Sequence, residues 1–104
     1  MTATVSVART DYDTTINIAG LFDYKINRQF RTCYQDEMSC NTPKRRVTID
    51  LSRTENIDSS ALGMLLLLRE EIGNKVEDIE IANARLEIRK MLEESHFDLL
   101  FHIV

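Results

Sequence analysis

The chain has 104 residues, 43% hydrophobic and 29% charged, with a formal net charge of -4. These values are typical of a folded globular chain, and the length predicts a single domain over residues 1–104. With a pI near 5.1, the chain lacks the basic surface that phosphate backbones require, so no nucleic-acid partner is expected.

The N-terminus and the cysteines indicate the compartment. Residues 1–8 lack a basic region followed by an apolar core, so no secretory leader is predicted. The longest apolar run, residues 64–68, is far shorter than the ~20 residues of a membrane span. We therefore expect a cytoplasmic protein with no direct membrane contact, in which Cys33 and Cys40 are reduced thiols. Two cysteines and two distant histidines predict no metal site, and no cofactor is expected.

Two segments near the N-terminus alternate apolar and polar residues, as half-buried strands do. Their apolar positions are Val5 and Val7, then Ile16 and Ile18. The polar residues 11–13 between them predict a turn, so the two strands form an antiparallel hairpin. Gly20 is expected to end the second strand.

A helical stripe follows the hairpin, with apolar residues spaced by three or four positions. It consists of Phe22, Ile26, Phe30, Cys33 and Tyr34. Asp23 stands where an N-cap belongs. Residues 38–46, which hold the only proline and three basic side chains, predict a loop.

Strands and helices alternate in the second half of the chain. Strands are predicted around residues 47–51, 79–81 and 99–104. A helix is predicted over residues 60–73, ending at Gly73, and a third contains Ala84, Ile88, Met91 and Leu92. The order β-β-α-β-α-β-α-β implies right-handed crossovers. The predicted fold is α/β, with a mixed, mostly parallel sheet and helices packed against it.

The helix over residues 60–73 carries more apolar residues than one sheet contact requires. On a wheel of ~100° per residue, one stripe faces the sheet, and it contains Ala61, Met64, Leu65, Leu68 and Ile72. Leu66 and Leu67 point away from the centre of this stripe. Either a partner protein covers this surplus, or loops and the first helix do.

Asp58, Ser59 and Ser60 precede this apolar helix. They suit a helix cap, because they satisfy free backbone N–H groups. They equally suit a switch, because a helix N-terminus favours anions and a phosphate on Ser59 adds about -1.5 to -2 charges at pH 7. Catalysis is not expected: His96 and His102 lie in no motif, and the chain has neither a G-x-S-x-G elbow nor a glycine-rich phosphate loop.

The element order, together with the segment VTIDLSRTENIDSSALG, resembles the STAS domain, and more narrowly the stand-alone bacterial anti-sigma-factor antagonists. The family motif D-S-[ST]-G-[LI]-G corresponds here to residues 58–63, and a second family mark, Gly-x-x-Asp, to residues 20–23. The resemblance implies that Ser59 is the phosphoacceptor, with Ser60 a lesser candidate. Ala61 departs from the usual glycine and favours the helix by ~1 kcal/mol.

The resemblance also implies partner switching. The unphosphorylated domain binds a kinase-type anti-sigma factor, which phosphorylates the serine and releases the domain, and a metal-dependent serine phosphatase restores it. The alternative is a regulatory subunit of a transporter or another non-sigma signalling complex. The expected contact surface comprises Asp23, Asn56, Asp58, Ser59, Ser60, Met64 and Leu67. The family topology brings Asp23 to this surface, although it also suits a cap of the first helix alone.

Overall fold

The computed structural model describes residues 3–38 and 44–104. Its strands are β1 (Thr4–Arg9), β2 (Asp13–Phe22), β3 (Lys44–Asp50), β4 (Thr54–Ile57), β5 (Val76–Ala82) and β6 (His102–Ile103). Its helices are α1 (Asn27–Met38), α2 (Ser59–Ile72) and α3 (Leu86–Glu94), with short 3-10 turns at Tyr24–Ile26 and Phe97–Leu99.

The strands form one mixed sheet in the order β1-β2-β3-β5-β6. Strands β1 and β2 pair antiparallel, as the predicted hairpin requires. The pairs β2–β3, β3–β5 and β5–β6 are parallel. Strand β4 lies off this path and pairs in parallel with the last part of β2. The expected mixed, mostly parallel sheet is confirmed.

One row of apolar residues crosses the whole sheet in register: Val7, Ile16, Ile49, Ile81 and Ile103. The three central members are fully buried, and the two edge members pack partly buried against the same core. Because successive side chains on a strand point to opposite faces, their neighbours Asn17, Asp50 and Glu80 lie on the other, polar face. The helices therefore cover one face of the sheet.

Strand β4 was not predicted. Its buried residues, Thr54 and Ile57, flank two exposed ones, so the segment has no alternating pattern. What holds it in place is not local, because the Thr54 hydroxyl donates to the Ile18 carbonyl at 2.7 Å. The element order therefore contains one strand more than expected, inserted between β3 and α2.

Gly20 does not end β2, which continues to Phe22. Its φ of +89° lies in the left-handed region, which glycine adopts without steric cost. Strand β2 pairs with β3 as far as Asn17 and with β4 from Gly20 onward, and the register of the second pairing shifts between Gly20 and Leu21. A Cβ at this glycine would lie 3.1 Å from the Ala3 Cα. Gly20 is thus a bulge that redirects the strand.

Two predicted boundaries were also wrong. Lys44, Arg45 and Arg46 belong to β3 and not to a loop. Arg46 lies on the polar face, and its Nε is 3.3 Å from Asp78 Oδ2. Residues 39–43, which include Cys40, lie outside the described residues. The last strand is only His102–Ile103, because residues 97–99 form a 3-10 turn.

Candidate partner-binding site

Helix α2 begins with a cap formed by its own sequence. Asp58 is the N-cap in an extended conformation, and its Oδ1 accepts a hydrogen bond from the Ala61 N–H at 3.1 Å. The Ser60 hydroxyl donates to the same oxygen at 2.5 Å. These hydrogen bonds, the one from Ser60 above all, lower the pKa of Asp58. The cap predicted from the sequence is confirmed, and its carboxylate is negative at neutral pH.

The two serines differ in what their hydroxyls do. The Ser60 proton is donated to Asp58, and Ser60 is half-buried. Ser59, the first residue of α2, is exposed. Within the described ranges, no hydrogen bond engages its hydroxyl. Ser59 is therefore the serine that can react or bind without breaking an internal contact.

A second cap lies beside the first. Asp23 caps the turn Tyr24–Ile26, and its Oδ1 accepts from the Lys25 N–H at 2.9 Å. The parallel register pairs Phe22 with Ile57, so Asp23 and Asp58 each follow one member of that pair. The turn also contacts α2. Two aspartates that each cap a helical turn thus lie at the same edge of the sheet, at the start of α2.

Exposed apolar side chains adjoin these polar groups. Leu21 pairs in register with Asn56, an exposed residue whose Oδ1 accepts from the Ile57 N–H at 2.9 Å. Leu21 is 45% exposed and Tyr24 is 68% exposed. The sequence prediction missed both, because it ended β2 at Gly20. Continuing the alternation past that glycine places Phe22 inside and Leu21 outside.

Helix α2 buries the predicted stripe: Ala61, Met64, Leu65, Leu68 and Ile72. Met64, which we also expected on the contact surface, is only 8% exposed and packs in the core. That expectation is wrong for its side chain, because a position at the edge of the inward stripe is covered when the helix lies on the sheet. Leu67, expected to point further outward than Met64, is half-buried, and Leu66 is 43% exposed.

Among the described residues, neither serine is paired with a histidine. Within residues 3–38 and 44–104, neither Ser59 nor Ser60 is hydrogen bonded to a histidine. His102 lies on β6 with its Nδ1 3.5 Å from Asp78 Oδ2, and His96 adopts a left-handed turn after α3. The described residues therefore do not form the serine–histidine pair that commonly activates a nucleophilic serine.

A cluster of charged side chains lies on the polar sheet face. Ligand atoms of Asp78, Glu80 and His102 lie within 4.8 Å of one another. Arg46 Nε lies 3.3 Å from Asp78 and 3.6 Å from Glu80. Both carboxylates thus have a cationic partner, and an ion-pair network accounts for the cluster.

Searched across the described ranges, no helix combines the length and the apolar character needed to cross a membrane.

Comparison with known proteins identifies this architecture. A sequence model described as "Mlab, STAS domain" matches residues 5–102. A STAS-domain-containing protein of Pseudomonas aeruginosa (strain UCBPP-PA14) is 46% identical over 89 residues, which are 86% of this chain and 85% of that protein.

Two solved proteins share the fold. An anti-sigma factor antagonist from Mycobacterium paratuberculosis superposes with a TM-score of 0.82 at 20% identity, over 98% of this chain and 85% of that one. The anti-sigma factor antagonist SpoIIAA in its unphosphorylated form superposes with a TM-score of 0.78 at 16% identity, over 97% of this chain and 88% of that one. SpoIIAA from Bacillus in its phosphorylated form superposes with a TM-score of 0.70 at 16% identity, over 97% of this chain and 91% of that one. By its sequence match over nearly its whole length, the chain belongs to the STAS domain family.

Proposed function

We propose that this chain, a single STAS domain over residues 1–104, is a phospho-regulated anti-sigma-factor antagonist of the cytoplasm, without catalytic activity of its own. The observation that carries the proposal is Ser59. It is an exposed hydroxyl at the first residue of α2, free of internal hydrogen bonds among the described residues. It also stands at the phosphoacceptor position of the family motif.

In the unphosphorylated state, the start of α2 and the neighbouring turn bind a kinase-type anti-sigma factor. The polar part of this surface consists of Asp23, Asn56, Asp58, Ser59 and Ser60. Leu21 and Tyr24 add exposed apolar area beside it. Leu67, being half-buried, contributes at the flank. A small apolar centre with a polar rim is the usual composition of a specific protein interface.

Phosphorylation of Ser59 then ends this contact. The bond between Ser59 Oγ and the γ-phosphorus of ATP forms as the bond to the β–γ bridging oxygen breaks. ADP leaves, and the hydroxyl proton passes to a base of the kinase. The product carries about -1.5 to -2 additional charges beside the ionised Asp58 carboxylate. An interface fitted to the bare serine is therefore blocked, while the fold persists because Ser59 is exposed.

A metal-dependent serine phosphatase completes the cycle by hydrolysing the phosphate and restoring the hydroxyl. The same exposure that admits the kinase admits the phosphatase. Both enzymes are separate proteins, and the domain is their substrate.

Paired substitutions at the two serines test the proposal. Against a purified kinase-type anti-sigma factor, we expect Ser59→Ala to bind as the wild type does and to remain bound when ATP is added. Ser59→Asp should weaken binding at least tenfold, as measured by titration calorimetry. Ser60→Ala is the matched control and should still be phosphorylated at Ser59 in a peptide-mapping experiment. Equal affinity of the Ser59→Ala and Ser59→Asp variants would contradict the switch.

A second candidate function uses the same fold. The description of the matching family names no sigma factor, which favours keeping a regulatory subunit of a transporter, or of another non-sigma complex, as the alternative. In that case the protein purifies from cells in a stoichiometric complex with an ATPase component. Its affinity for that component would then be unaffected by Ser59→Asp.

A further inference from the structure

Gly63 occupies a position where the described residues would accommodate a side chain. It is exposed in the interior of α2, and a Cβ built on it meets no atom of the described residues within 4 Å. Gly20 is different, because its φ of +89° would strain a side chain and the Ala3 Cα lies only 3.1 Å from where its Cβ would be. Neither the backbone conformation nor the packing of the described residues requires a glycine at position 63.

Such a glycine has a cost to the folded chain. Within a helix, glycine is the least favourable residue after proline, because its backbone loses the most conformational freedom on folding. Alanine would fit at position 63 and would stabilise α2. Glycine at position 63 therefore does not benefit the stability of the isolated chain, and its advantage must come from contact with another molecule.

The position of Gly63 indicates where that advantage lies. Residues four apart lie on one helix face, so Gly63 follows Ser59 one turn along the exposed side of α2. Leu66, 43% exposed, continues the same face. Between the hydroxyl and the leucine, Gly63 leaves a notch in which the helix backbone itself is the surface. A notch of this kind lets another polypeptide come closer to the helix axis than any side chain permits.

We infer that Gly63 is the close-approach point for the anti-sigma-factor kinase, whose chain crosses α2 between Ser59 and Leu66. The inference rests on the proposed function and deepens it. To receive a phosphoryl group, Ser59 Oγ must reach the kinase active site, so the kinase must also lie against the next helical turn, ~5.4 Å further on. A side chain at position 63 would hold the kinase away from the acceptor.

The test compares Gly63→Ala and Gly63→Leu with Glu70→Ala, an exposed change near the C-terminal end of the same helix. The probe is a kinase-type anti-sigma factor that binds the wild-type chain, chosen from a purified panel. Thermal melting, dissociation constants and the rate of Ser59 phosphorylation are measured. We expect Gly63→Ala to melt higher than the wild type but to bind about tenfold more weakly. Gly63→Leu should bind more weakly still, and Glu70→Ala should bind as the wild type does.

The outcomes separate the two proposals. If Ser59→Asp abolishes binding while both Gly63 variants bind and are phosphorylated like the wild type, only the role of Gly63 is overturned. If no member of the panel binds the wild-type chain, the proposed function fails and the role of Gly63 fails with it. If Gly63→Ala melts lower than the wild type, the glycine has an internal role, which also overturns the inference.

Discussion

Asp58 serves two purposes with one carboxylate. It closes the N-terminus of α2 by accepting the Ala61 N–H, and it holds the Ser60 hydroxyl at 2.5 Å. By engaging Ser60 it leaves Ser59 as the accessible serine of the pair. It also places a fixed negative charge next to that serine. The two adjacent serines thus differ both in burial and in the hydrogen bond that Ser60 donates to Asp58.

Replacing Asp58 tests its cap. Asp58→Ala should destabilise the fold by about 1 kcal/mol at pH 7, measured by urea unfolding, whereas Asp58→Asn should lose less because its side-chain oxygen still accepts. The pKa of Asp58 is lowered in the fold, so its charged form is the stabilising one. That stability is present above the unfolded pKa of about 3.9 and is lost as pH falls through the lower, folded pKa. If the difference in stability between the wild type and Asp58→Ala keeps its pH 7 size as the pH falls through this range, the assignment is refuted.

Helix α2 carries two faces of opposite purpose. Its buried stripe belongs to the core that spans the sheet, and Met64 belongs to that stripe. Its exposed face carries Ser59, Gly63 and Leu66. Leu67 lies between the two faces, half-buried. Leu66 is therefore the most exposed leucine of α2, and Leu67 flanks it.

Charge substitutions on neighbouring leucines separate these roles. Leu66→Asp should change the free energy of unfolding by less than about 0.5 kcal/mol, since the side chain is 43% exposed, and should weaken binding to the anti-sigma factor. Leu67→Asp should cost more stability, because burying part of a carboxylate is unfavourable. Urea unfolding and calorimetric binding of both variants provide the comparison. A larger stability loss for Leu66→Asp than for Leu67→Asp would reverse the assignment of faces.

At the scale of the whole molecule, the core is continuous from edge to edge of the sheet. The row through Ile16, Ile49 and Ile81 is buried beneath the helices. Helices α1 and α2 are tied together by Arg31, whose Nη2 donates to Glu71 Oε1 at 2.9 Å. The Tyr34 hydroxyl beside that carboxylate lowers the pKa of Glu71. The C-terminal end of α2 is therefore held against α1.

Substitutions at the centre of this row of apolar residues should destabilise the fold more than substitutions at its edge. Ile49 is fully buried, so Ile49→Ala should cost about 2–5 kcal/mol, a large part of the ~5–15 kcal/mol typical of a domain. Val7, at the edge of the same row and half-buried, is the control, and Val7→Ala should cost clearly less. Chemical denaturation of both variants measures the difference. Similar losses at the two positions would argue against a core centred on β3.

Local patterns in the sequence were sufficient for much of this protein. Alternation in β1, β2 and β5 assigned their buried faces, and the helical spacing of α2 assigned its buried stripe. The Asp58 cap and the serine motif were also evident. These features depend on residues within a few positions of one another, which is why they are legible without a structure.

Only the tertiary structure decided the features that depend on distant partners. Strand β4 exists because it pairs with the end of β2, and β2 reaches that far because Gly20 forms a bulge there. The same pairing brings Leu21 and Asp23 beside the start of α2. Of the two leucines that the wheel turned away from the buried stripe, the packing of the fold left Leu66 exposed and Leu67 half-buried. Strand pairing and helix docking join residues far apart in the chain, so local periodicity does not encode them, whereas the capped start of α2 is encoded by six consecutive residues.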